Sequence, residues 1–305
     1  MKEFDYIAKY FAPLSDMSSG LGLLDDAACL SPPPGKDLVI TTDTLVEGVH
    51  YLSGTAPQDI AAKLVAVTLS DLAAKGAAPL GCLLNFAPPA PSEDWVAAFA
   101  GGLGRYLERF NCSLLGGDSV THPNAGVFSL TAIGLVAQGQ MVKRSGASPG
   151  DDIYVTGDMG AGGLGLVDAK AGRETVFSGH YLTPEPLIEL GLALAPVITA
   201  CADISDGFLA DLNHICVASA CGAQILLTDV PLADPAGDRV FQLTCGDDYQ
   251  LVFTAKQSDR QVVSDILHQH DHKLSRVGSI ISNPVGVVDQ SAAPIAVEQK
   301  GWSHY

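Results

Sequence analysis

Residues 57–77, PQDIAAKLVAVTLSDLAAKGA, constrain the fold most. The stretch opens on Pro57, carries no internal Gly or Pro until Gly76, and has the length of a long helix. Its apolar residues wrap nearly the whole circumference, so the helix has to be covered on all sides. Asp59 falls in its first turn, and one carboxylate, Asp71, stands deep inside it. An unpaired buried charge is expensive, so the helix predicts something nearby that compensates it.

Covering such a helix needs a large core, and the chain can build one: 305 residues, 47% hydrophobic and only 17% charged. The formal net charge of −17 argues against a broad nucleic-acid-binding surface, which needs clustered Lys and Arg. It does not exclude a phosphate substrate, because bound cations invert the local field. Seven cysteines form no CxxC pair and no zinc-like spacing, the pattern of reduced core thiols. The N-terminus MKEFDYIAKYF has no signal-peptide apolar region, and no run is long and charge-free enough to span a bilayer. The expectation is a soluble cytoplasmic protein with no membrane and no nucleic-acid partner.

Along the chain, residues 3–11 read as a short amphipathic helix and 37–52 as strands. Residues 81–87 read as a strand and 92–110 as an amphipathic helix capped by Ser92. CSLLGGD and GVFSLTAIGLVA read as further strands. The small, polar SGASPGD (145–151) marks a boundary, after which DIYVTG begins a second α/β alternation. The fold class is α/β (α+β) in two domains, residues 1–145 and 146–305.

The carboxylates carry the chemistry. Of 34 acidic residues 26 are Asp, and several interrupt apolar runs: Asp26 in LLDDAA, Asp43 in VITTDT, Asp71, Asp118 in SLLGGD, and Asp203 and Asp206 in ADISDGF. Taken singly, each is equally well explained as a cap or a turn residue. Taken together, they suit a site for hard cations. Two carboxylates about 4 Å apart repel by roughly 4 kcal/mol at an effective dielectric near 20, and oxygen-only donors select ions such as Mg²⁺. There is no P-loop motif. Gly160–Gly165 matches GxGxxG, but a lone match is weak and reads as a strand–helix turn. Arg144, in VKRSGASPGD, is either a phosphate contact or a solvated surface residue.

The blocks LLDDAA, TTDTLVEGVHY, KLVAVTLSDLAAKGAAP, LLGGDS, VKRSGASPGDDIYVTG, DISDGFLADLNHI, CGDDYQLVFT and KGWSHY, in this order, resemble the thiamine-monophosphate kinase family. That family lies in a superfamily with aminoimidazole-ribotide synthetase. The resemblance implies a two-domain aminoimidazole-ribotide synthetase-like fold whose N-terminal strands pair across a homodimer into a barrel. It implies direct in-line transfer of the γ-phosphoryl group of ATP to thiamine monophosphate, with several Mg²⁺ ions and no protein nucleophile. By motif, Asp26, Thr41, Thr42, Asp43, Asp71, Asp118, Asp203 and Asp206 resemble the metal shell. Gly117, Asp118, Arg144 and Ser205 resemble ATP contacts, and His50, Asp247 and Trp302 the substrate side. Leu24 stands where the family has Gly, Asp247 where it has Glu, and Tyr305 where it has Phe. Two rivals remain: another ATP-using member of the superfamily, and a non-catalytic ion-binding or scaffold protein.

Overall fold

The computed structural model describes residues 3–89, 91–273, 275–291, 293–295 and 301. The chain divides into two compact units, one of residues 1–72 and 77–139, the other of residues 73–76 and 140–305. The change of unit thus falls at Gly139–Gln140, ahead of SGASPGD, and the end of the long helix goes with the second unit. The reason is local: the Lys75 ammonium donates to the Cys201 carbonyl at 2.9 Å, and the Val142 amide to the Lys75 carbonyl at 3.2 Å.

In the first unit a short helix, α1 (Glu3–Tyr6), runs on into a wide helical turn, Ile7–Phe11. The expected amphipathic helix over 3–11 is therefore regular only in its first half. The sheet consists of β1 (Lys36–Val46), β2 (Ala78–Ala87), β3 (Ser113–Ser119) and β4 (Val127–Ala137), in the order β1-β4-β2-β3. β4 is antiparallel to both neighbours, and β2 and β3 run parallel. Two helices, α2 (Pro57–Ala74) and α3 (Glu93–Arg109), complete the unit. Alternating inward residues of β1, Val39 and Leu45, are buried, while Ile40 stands 64% exposed on the other face. α2 is buried around nearly its whole girth, with Ile60, Leu64, Val65, Leu69 and Leu72 all in the core, as its composition requires. Ser92 caps α3 as expected, its hydroxyl accepting the Trp95 amide at 3.1 Å. The α3 stripe Val96, Phe99, Leu103 and Leu107 is buried, and Phe86, Trp95, Phe99 and Phe128 pack ring to ring with centroids 5.0–6.1 Å apart. Gly117 is needed where β3 meets β2, because a Cβ there would lie 1.9 Å from the Leu84 carbonyl oxygen.

The second unit holds β5 (Asp152–Val155), β6 (Ile198–Asp203), β7 (Gly222–Ile225), β8 (Leu251–Ala255), β9 (Ser275–Ile281) and β10 (Gly286–Val288). They form one mixed sheet in the order β10-β7-β9-β5-β8-β6, with β10 parallel to β7 and the other pairs antiparallel. Its helices are α4 (Ala161–Lys170), α5 (Val176–Leu182), α6 (Ile188–Leu194), α7 (Phe208–Ser219), α8 (Arg239–Thr244) and α9 (Arg260–Gln269). The core joins Ile153, Val155, Ala202, Val252 and Val277 of the sheet to Phe208, Leu212 and Ile215 of α7. Among the described residues no helix is long and apolar enough to cross a membrane.

Candidate functional site

The first unit gathers polar groups on the buried face of β1. The pleat sends Thr41 and Asp43 inward with Val39 and Leu45, toward α2. Asp71 of α2 meets them: the Thr41 hydroxyl donates to Asp71 Oδ2 in a short hydrogen bond. Burial first, and then the neighbouring Asp71 charge, push the Asp43 carboxyl up to about 7, against a hydrogen bond to Thr68. Asp43 Oδ2 and the Ser70 hydroxyl oxygen are both buried without a hydrogen-bond partner. Buried polar atoms normally have one, so these two are functional candidates. Two adjacent carboxylates, one with an orphaned oxygen, fit a hard divalent cation: all donors are oxygen, and the ion's charge would satisfy the orphan and quench the repulsion.

The other expected residues of this unit are not drawn into that group. The Thr42 side chain lies on the opposite face, where its hydroxyl accepts from Thr131 at 3.1 Å. Asp26 is exposed in a loop, its amide donating to Asp25 Oδ1 at 2.8 Å. Asp118 is exposed on β3 next to Gly117, opposite Asn85. His50 sits in the turn after β1. Its Nδ1 accepts the Val46 amide at 3.1 Å, which leaves the proton of the neutral ring on Nε2. The Lys63 ammonium, buried in α2, donates to the His50 carbonyl at 3.1 Å and fixes that turn from below.

The second unit builds its cluster at the end of β6. Asp203 closes the strand and is buried, and Ser205 and Asp206 form the half-buried turn into α7. One residue that the sequence reading passed over organises this turn. Asp211, wholly buried in the first turn of α7, accepts the amides of Ser205, Asp206 and Gly207 on Oδ2 at 3.1, 3.0 and 3.2 Å. Its Oδ1 has no partner. Burial and then Asp206 raise its carboxyl to about 7, while the Arg144 charge works the other way. The available signal was an acid between Leu209 and Leu212 on the apolar side of α7, similar to the one that marked Asp71. Arg144 itself is exposed, and its carbonyl accepts the Ser219 hydroxyl at 3.0 Å.

Asp247 joins the same turn. Its amide donates to the Ser205 carbonyl at 3.0 Å, and the Tyr249 hydroxyl donates to its Oδ1 at 3.2 Å. It holds φ +67°, in the left-handed region that Asp tolerates better than most residues. Next to it, buried Asp248 accepts the amides of Gly160 and Gly162 at 2.8 and 3.0 Å. The GxGxxG loop thus spends these amides on an internal carboxylate rather than on a phosphate, and is the strand–helix turn expected. Trp302 lies outside the described residues. Its neighbour Gly301 is described, and a Cβ there would come within 2.5 Å of Ala210 Cβ and 2.6 Å of the Asp206 carbonyl oxygen.

The chain matches the models of the AIR synthase related protein N-terminal domain over residues 24–136 and of its C-terminal domain over residues 148–290. It is 35% identical to thiamine-monophosphate kinase of Salmonella typhimurium over 322 residues, covering 99% of this chain and 98% of that one. The crystal structure of thiamine-monophosphate kinase from Stenotrophomonas maltophilia K279a is 36% identical, with a TM-score of 0.85 over 93% and 94% of the two chains. AaThiL complexed with AMPPCP and TMP is 27% identical, with a TM-score of 0.79 over 99% and 97%.

Proposed function

Because the chain belongs to the thiamine-monophosphate kinase family, we propose that it phosphorylates thiamine monophosphate with ATP, giving thiamine diphosphate and ADP. The observation that carries the reading is the orphaned, buried Asp43 Oδ2 beside Asp71. A carboxylate pair of this kind suits a chain that must place a highly charged nucleotide with few cations of its own, 17 Lys and Arg in all. AMPPCP carries a methylene in place of the β–γ bridging oxygen, so AaThiL complexed with AMPPCP and TMP supports ATP as the second substrate.

In the reaction an oxygen of the acceptor phosphate bonds to the γ-phosphorus as the bond from that phosphorus to the β–γ bridging oxygen breaks. ADP leaves directly, so no side chain need act as a nucleophile. Asp43, Asp71 and Thr41 in the first unit, and Asp203 and Asp206 in the second, would hold Mg²⁺; Asp26 and Asp118 complete the proposed set, while the Thr42 side chain faces away from it. When bound, Mg²⁺ neutralises the charge that builds on the phosphate oxygens. Ser205, Gly117 and Arg144 would contact ATP, with Arg144 offering a fixed bidentate donor. His50 and Asp247 would orient the acceptor.

Trp302 would pack against the organic part of thiamine monophosphate, whose thiazolium ring is cationic. Steady-state ADP formation with and without thiamine monophosphate tests the whole reading, and no acceptor-dependent turnover would sink it. In the same assay Trp302→Ala should raise KM for thiamine monophosphate about tenfold, a loss of about 1.4 kcal/mol, with KM for ATP little changed. A mutant that melts earlier with both KM values intact would make Trp302 a packing anchor instead.

The proposal extends to assembly. Leu38, Ile40 and Leu83 stand exposed on the sheet face that also carries Thr42 and Thr131, an apolar surface suited to a second copy of the sheet. Sedimentation at micromolar concentration should give a dimer, and Ile40→Glu should give a monomer; a monomeric parent chain rules this out.

A further inference from the structure

Asp206, Asp211 and His214 each place one ligand atom within 4.8 Å of the other two. Asp211 and His214 are separated by three positions in α7, so they share a face of the helix, and Asp206 lies two residues before its start, next to the N-cap Gly207. The grouping is more than an acidic patch. Asp211 is wholly buried, and the three turn amides engage only its Oδ2, which leaves Oδ1 without any partner. His214 contributes what the carboxylates of the first unit lack, an imidazole nitrogen on an exposed side chain. Donor atoms around a tetrahedral ion at about 2.0–2.1 Å are roughly 3.4 Å apart. Rotation of the exposed imidazole closes the remaining distance.

We infer that Asp206, Asp211 and His214 form a second type of divalent-cation site, one that selects Zn²⁺ or a similar transition ion over Mg²⁺. Two oxygens and one imidazole suit Zn²⁺, Co²⁺ or Ni²⁺, whereas Mg²⁺ favours all-oxygen shells and keeps its water. Three protein ligands leave a further coordination position to solvent. Asp206 is also one of the carboxylates assigned to Mg²⁺, so Zn²⁺ bound here withdraws it and inhibits turnover. That consequence, unlike the site itself, rests on the phosphoryl-transfer reading.

The test is calorimetric titration of Zn²⁺ into the full chain without nucleotide, in saturating Mg²⁺. Cys29→Ser is used throughout to remove the exposed thiol. One Zn²⁺ should bind, and His214→Gln should weaken it at least tenfold with unchanged thermal melting in the absence of Zn²⁺. Asp211→Asn should weaken it as well. Equal Zn²⁺ affinity with and without His214, or no Zn²⁺ binding by the parent chain, overturns the site. Because no substrate is present, failure here leaves the kinase reading standing, and a chain that binds Zn²⁺ through His214 but forms no ADP with thiamine monophosphate fails only the kinase reading.

Discussion

Asp71→Asn should lower kcat for ADP formation by at least about a hundredfold, roughly 2.7 kcal/mol of transition-state stabilisation, while the folded chain stays at least as stable as the parent. Both halves follow from one contact. Asn has the size of Asp, and its amide oxygen can still accept the Thr41 hydroxyl that Asp71 Oδ2 accepts. What it removes is a negative charge beside Asp43, the second cause of that carboxyl's rise to about 7. Loss of the charge therefore relieves repulsion in the fold and, on the proposed assignment, at the same time removes a cation ligand. A purely structural Asp71 would behave in the opposite way, with melting temperature falling and turnover per folded molecule unchanged. Steady-state kinetics paired with thermal melts separates the two. Activity within a few-fold of the parent, or full parent activity in excess chelator, would remove the metal role.

This prediction was legible in the sequence because α2 is apolar on nearly every side, so that an acid beyond its first turn was conspicuous. Its partners were only partly legible. Thr41, Thr42 and Asp43 are adjacent in sequence, but a strand alternates its faces, and only Thr41 and Asp43 turn toward α2. The segment 37–52 read as several strands because its β-branched residues continue to the turn. In the structure a single strand ends at Val46, and the His50 ring then binds the Val46 amide and closes the turn.

Asp211 was harder to see for a physical reason. Its three donors are main-chain amides of residues 205–207, which leave no mark in side-chain chemistry. Asp203 and Asp206 drew the attention as charges at a joint, although the group holding that joint together lies one helical turn further on. Asp248 was hidden similarly, serving the amides of the glycine loop while Asp247 occupied the motif position. In both units the sequence marks the charged residues at the site and not the buried groups that orient them.

Those buried carboxyls make the stability of the metal-free chain depend on pH in an unusual direction. Asp43 rises in the folded state to about 7, whereas an unfolded Asp titrates near 3.9. Between these values the folded chain binds the extra proton, so this group's contribution falls as pH rises from about 4 and is lost above about 7. At about 1.36 kcal/mol per pH unit between pH 4 and pH 7, the upper bound is about 4 kcal/mol. Asp211 and Asp248 are displaced the same way. Asp152, held below the usual range by Arg260 and Arg276 against the cost of burial, contributes fully above about pH 4 and loses that contribution only on further acidification, so it does not offset this fall. Asp43→Asn isolates one group: its stability relative to the parent should climb from pH 4 to pH 7 and then level off. Saturating Mg²⁺ should stabilise the parent more at pH 8 than at pH 5, because only the ionised carboxylates bind it, and should have a smaller effect on Asp43→Asn. Chemical denaturation at a series of pH values, with and without Mg²⁺, measures both differences. Parallel pH profiles for the two chains would mean that Asp43 stays ionised through this range and that its orphaned oxygen has a partner after all.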